Sequence, residues 1–137
     1  MQLTRRLTIC AVGAGLLLAV TPLLAHHSFA AEFDSTKRVT LQGKFTKMDW
    51  VNPHSWIHMD VKNADGTVTD WMIEGGSPNS LLRRGFTKSS LPPGTEIVVE
   101  GYQAKDGANR ANGRDLTFPD GRKLFIGTNP DEKAPDK

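Results

Sequence analysis

GGSPNSLLRRGF, residues 75–86, decides the fold, because of what it is and where it falls. Ser77 is a good N-cap. Pro78 suits the first helical position, since a proline loses no hydrogen bond there. Leu81 and Leu82 form an apolar patch, and Gly85 supplies a stop. The reading is one short helix over residues 78–84. What surrounds it reads as strands.

Working back toward the N-terminus, Val39, Leu41, Gly43 and Phe45 share one parity, and Thr40, Gln42, Lys44 and Thr46 the other. That alternation is a half-buried strand, and a glycine in its middle points to a bend or bulge. Residues 26–38 are mixed and polar, with Phe29 and Phe33 as anchors. Asn52-Pro53 breaks the run, because proline has no ladder donor. A second strand covers residues 55–62. Ser55, Ile57, Met59 and Val61 face one way, and His54, Trp56, His58 and Asp60 the other. Asn63-Ala-Asp-Gly66 is a turn signal. A third strand covers 67–74, with Trp71 and Ile73 opposed to Asp70, Met72 and Glu74. Beyond the helix, residues 91–94 form a loop, and 96–102 alternate with Ile97 and Val99 inward. Residues 105–112 form a Gly/Asn-rich excursion. Residues 114–118 and 122–126 flank the turn Pro119-Asp120-Gly121.

Three strands, a short helix and then further strands predict a mainly all-β domain. The layout is that of a five- to six-stranded OB-fold-like barrel, with the helix between strands 3 and 4. A plain β-sandwich is the rival arrangement.

The start of the chain has a different texture. Residues 1–25 carry Arg5 and Arg6, no acidic side chain and an apolar run from Leu7 to Leu24. These are the marks of a signal peptide. Cleavage after Ala25 fits the end of the apolar run and leaves His26 first. Cleavage after Ala30 fits the small-x-small rule through Ser28 and Ala30 and discards both histidines. The reading adopted is a leader over 1–25, a barrel domain over 26–127 and a flexible tail over 128–137, in a periplasmic or secreted protein with no membrane anchor left after cleavage. The leader holds two of the 17 basic residues and none of the 15 acidic ones, so the mature chain is formally neutral. A nucleic-acid partner therefore lacks an electrostatic footing. Cys10, the only cysteine, also leaves with the leader, which removes disulfide and thiolate chemistry.

His26-His27-Ser28-Phe29, then Val39-Thr-Leu-Gln-Gly43, then Trp50-Val-Asn-Pro-His54, resemble a family of short exported bacterial proteins of unknown function (domain of unknown function 6152). The resemblance covers nearly the whole mature chain. It implies an exported bacterial domain and no reaction, so it gives no residue a role.

The four histidines fall in two clusters, His26 with His27 and His54 with His58. An N-terminal histidine can chelate a metal through its amine and its ring, and a second histidine completes the site. Such a brace resembles the copper site of lytic polysaccharide monooxygenases and of some periplasmic copper carriers. Imidazole suits copper. An α-amine with a pKa of about 7.7–8.0 yields its proton readily to a metal. On a regular strand His54 and His58 would stand about 13 Å apart. They share a metal only if Pro53 puts His54 on a bend, and His54 is the better partner for the amino-terminal pair. The plainer alternative is that His26 and His27 are a solvated chain start, that His54 bonds a turn carbonyl and that His58 points outward.

Trp56 lies on the polar parity beside His58 and Asp60, where it can stack a sugar, or else pack beneath the helix or a long loop. Trp71 and the three internal methionines read as packing. Asp60, Asp70 and Glu74 read as a charged surface. No Ser/His/Asp arrangement, phosphate loop or paired-cysteine motif is present. The expectation is a non-enzymatic exported binding or accessory protein, for an unknown small ligand or a periplasmic partner. Its ligand residues would be Trp56, His58 and Asp60. The alternatives are a copper protein using His26, His27, His54 and His58, either a carrier or a small redox enzyme, and a sugar-binding module.

Overall fold

The computed structural model describes residues 29–128. His26, His27, the leader and most of the proposed tail lie outside them. The chain runs α1 (Phe29–Glu32), β1 (Phe33–Asp49), β2 (Trp56–Lys62), β3 (Val68–Glu74), α2 (Pro78–Arg83), β4 (Glu96–Ala104), β5 (Arg110–Thr117) and β6 (Lys123–Phe125). The strands form one sheet in the order β3-β2-β1-β4-β5-β6. All these neighbours are antiparallel. A short parallel pairing of β3 with β5 then closes the circuit, joining Met72, Ile73 and Glu74 to Arg110, Ala111 and Asn112. The predicted mainly β architecture, with its helix between the third and fourth strands, is therefore the one observed. No helix among the described residues is long and apolar enough to cross a membrane.

β1 begins six residues earlier than the alternation predicts. Phe33 pairs with Ala104, and pairing resumes at Arg38 opposite Tyr102. Between them the chain bulges, and Asp34 Oδ1 accepts from the Thr36 amide at 2.9 Å. That polar interruption conceals the strand in the sequence. The early start lets Phe33, Tyr102 and Ala104 build a small second cluster, onto which Phe29 of α1 packs. β1 serves β4 with its first part and β2 with its second, and the two ladders overlap at Gly43 and Lys44.

Gly43 is the corner of the sheet. A Cβ there would lie 2.0 Å from the carbonyl oxygen of Asp60 on the neighbouring strand. Backbone cannot yield as a side-chain tip can, so β1 and β2 would have to part. Gly43→Ala is expected to destabilise by about 1–3 kcal/mol, the usual range for overpacking. The midpoint of a urea unfolding curve measures this, and an unchanged midpoint would refute the corner assignment.

Inside the ring, Leu41, Phe45, Ile57, Met59, Ile73, Ile97, Val99 and Leu116 form the main core. These are the inward parities of the strands, as the alternation predicts. α2 adds Leu81, while Leu82 remains half exposed. Ser77 caps this helix by accepting from the Ser80 amide at 3.3 Å. Gly85, at φ +85°, ends it and sends Phe86 back into the core. Trp71 and Trp56 divide as their parities suggest, and Trp50, for which the alternation gives no side, joins the core. Trp50 and Trp71 pack on the main core, and Trp56 stands half-buried outside it.

Candidate functional site

The outer face of β2 and β3 carries most of the chemistry. Directly opposed residues on paired strands share a face. Trp56 lies opposite Glu74, His58 opposite Met72, and Asp60 opposite Asp70. On the other side of β2, Asp49 lies opposite Trp56, Lys47 opposite His58 and Lys44 opposite Asp60. The three predicted ligand residues, Trp56, His58 and Asp60, thus lie in one row with carboxylates on both flanks.

Two histidine–carboxylate pairs stand on this face. His58 Nε2 is 2.9 Å from Asp49 Oδ2, and His58 Nδ1 is 3.8 Å from Asp70 Oδ2. The hydrogen bond from His58, and then that from Lys47, holds the Asp49 carboxyl below the usual range. His58 points outward by parity yet is only 7% exposed, because side chains from both neighbouring strands enclose it.

The second pair joins His54 Nδ1 to Glu74 Oε1. His54 follows the cis Asn52–Pro53 peptide. Next to it, Ser55 is tied to the link between β3 and α2: its amide donates to the Gly76 carbonyl at 3.0 Å, and its carbonyl accepts from the Gly75 amide at 2.8 Å. Those two bonds fix where the imidazole can reach. The two histidines therefore serve different carboxylates. Among the described residues, no group of three or more histidine, cysteine or acidic side chains is placed to hold a metal ion.

Glu74 corrects the reading of a charged surface. It is 5% exposed. Closure of β3 onto β5 covers it, with Asn112 directly alongside. Burial pushes its carboxyl up to about 7, and the nearby Glu32 pushes the same way; a hydrogen bond with Asn112 and the charge of Arg110 pull down. Asp60 and Asp70 are exposed, as expected.

Asn112, Arg110 and Glu32 belong to this site and were not legible in the sequence. Residues 105–112 read as a Gly/Asn-rich excursion, whereas β5 already starts at Arg110 and buries Ala111, Asn112 and Gly113. Glu32 sits at the end of α1 and carries no motif.

No curated protein and no solved structure is significantly similar to the chain. A family model does match it, over residues 15–113. That span takes in β1 to β4 and the first half of β5, including His54, Glu74 and Asn112. The chain belongs to this family, described as a family of unknown function (DUF6152).

Proposed function

We propose that the protein is an exported, non-enzymatic binding or accessory domain whose ligand face is the outer row of β2 with the adjoining end of β3. The leader-like residues 1–25 support export to the periplasm or beyond. The observation that carries the binding site is Glu74, a buried carboxyl in contact with a partly exposed imidazole. Such a pair adds nothing to the apolar core, and perturbed groups of this kind gather at functional sites. Trp56 stands directly across from it. An indole flanked by imidazole and carboxyl groups suits a ligand that stacks and exchanges hydrogen bonds, as a sugar does.

Tryptophan emission of the mature protein, titrated with a panel of neutral and acidic oligosaccharides, tests this reading. Saturable quenching by at least one glycan is expected, with affinity reduced about tenfold in Trp56→Ala, within the range for loss of a stacked ring. Absence of quenching across the panel would retire the sugar ligand. Turnover of a substrate by the purified apo-protein would retire the non-enzymatic reading itself.

A second reading, copper binding, is favoured by the Glu74–His54 contact. A carboxylate on one ring nitrogen fixes the tautomer and orientation of a ligating histidine. His26, supplying amine and ring, together with His27 and His54, would complete the donor set, with His58 held by Asp49 beside it. The mass of the exported protein tests the premise, because a chain starting at Ala31 eliminates the brace. If His26 is first, copper affinity is expected to collapse in both His26→Ala and His54→Ala. Unchanged tight binding in the two variants would end the copper reading.

A further inference from the structure

Three surface clefts differ in how their charges balance. The first, about 250 Å³, sets Arg38 and Arg114 against Glu100 and Asp115. Another, about 690 Å³, sets Lys44 and Lys62 against Asp60 and Glu96. The third, about 320 Å³, lies between the end of α2 and the β5–β6 hairpin. It is lined by Arg84, Ser90, Phe118, Arg122, Lys123 and Leu124, with three cations and no carboxylate.

The two arginines are held in place. The Arg84 guanidinium lies 5.0 Å from the centre of the Phe125 ring, and its Nη1 donates to the Gly127 carbonyl at 2.8 Å. Arg122 lies 4.9 Å from the centre of the Phe118 ring, and its Nε donates to Asp120 at 2.6 Å. Stacked guanidinium planes lose little freedom when they grip an oxyanion, and their forked donors match its oxygens. Lys123 reaches Glu100 at 3.3 Å, an exposed pair of little strength. Ser90 Oγ accepts from the Thr87 amide at 2.8 Å and adds a hydroxyl to the rim. Arg84 has a carbonyl, not a carboxylate, as its hydrogen-bond partner among the described residues. Burial and the adjacent Arg83 both disfavour its charge, a burden that a bound anion would relieve.

We propose that this cleft binds a small molecule bearing a dianionic or monoanionic oxyanion ester, a phosphate or a sulfate, on an organic body. Arg84 and Arg122 grip the oxyanion, Lys123 adds charge, and the organic body lies on Phe118 and Leu124. The cleft volume falls within the range of small-ligand sites. The proposal is independent of the ligand face on β2 and β3.

The test is amide NMR of the mature protein at low ionic strength, titrated separately with a monosaccharide phosphate, a monosaccharide sulfate and the parent sugar. Saturable shifts are expected at Arg84, Ser90, Phe118 and Arg122 to Leu124 with one or both esters, but not with the parent sugar. The tighter ester identifies the headgroup. Arg84→Gln and Arg122→Gln are each expected to weaken binding about tenfold or more, as losing a charge-assisted donor does. Lys62→Gln, in another cleft, is expected to change nothing. No saturable shift with either ester, or unaltered affinity in Arg122→Gln, would overturn the proposal. Arg122 sits exposed on a hairpin, so its variant decides the matter even if Arg84→Gln disturbs folding.

Discussion

Phe86→Ala is expected to remove about 3–5 kcal/mol of stability, the range for emptying a fully buried aromatic site. Phe86 is 1% exposed. Its ring stacks on Trp50 at 5.9 Å between centroids, tilted 29°, and meets Phe118 at 6.4 Å. Trp50 follows β1 and Phe118 follows β5, so this one ring joins both to the turn after α2. The strands around it are fixed by their ladders and cannot collapse into the vacated volume, which keeps the loss near the top of that range. Domains of this size hold about 5–15 kcal/mol in total, so the variant keeps only a fraction of its stability. Equilibrium unfolding in urea measures it, followed by circular dichroism and by the combined emission of Trp50, Trp56 and Trp71. Phe86→Leu, which fills most of the space, is expected to lose less than half as much. A loss under about 1 kcal/mol in the alanine variant would show that the ring is not a central strut.

The second large effect is a dependence of stability on pH. The Glu74 carboxyl rises from 4.5 to about 7 on folding. Between those values the unfolded chain releases the proton and the folded chain retains it. The folded state therefore loses relative stability as pH rises through this window, and the loss levels off above about 7. At about 1.4 kcal/mol per pH unit the penalty reaches roughly 3 kcal/mol, and any positive charge on His54 returns part of it. Glu74→Gln has no proton to lose. Its stability is expected to lack this fall between pH 5 and 7.5, to match the parent at the acid end and to exceed it at pH 8. Asp34, Asp49, Asp65, Asp106 and Asp120 are shifted the opposite way, downward. Their contribution is present above the ordinary carboxylate value and is lost as pH falls below it, so it lies outside this window. Denaturation midpoints at a series of pH values separate the variant from the parent. Parallel curves would show that Glu74 is not the titrating group.

The features legible in the sequence are those set by near neighbours. Alternation along residues 39–45 and 55–61 marks the inward side chains. Ser77, Pro78 and Gly85 bracket the helix, and Pro119-Asp120-Gly121 the last hairpin. The concealed features depend on distant partners. β5 starts at Arg110 because Met72 to Glu74 lie beside it, and nothing local to Ala-Asn-Gly announces that pairing. The same pairing turns Glu74 from a residue on an outward parity into a buried acid. The histidines were legible as chemistry but not as two separate pairs. Which carboxylate each ring meets depends on the shift in register between Phe45 and Lys47, and on the tie between Ser55 and Gly76.

The β3–β5 contact is three residues long, and its last pair is Glu74 with Asn112. It is the short parallel pairing that closes the circuit of otherwise antiparallel strands. A carboxylate that has given up its proton is costly to keep out of water. Losing the Glu74 proton is therefore expected to weaken the closure at this seam first, so amide exchange near Asn112 should quicken as pH rises above about 7 more than the intrinsic rate alone would give.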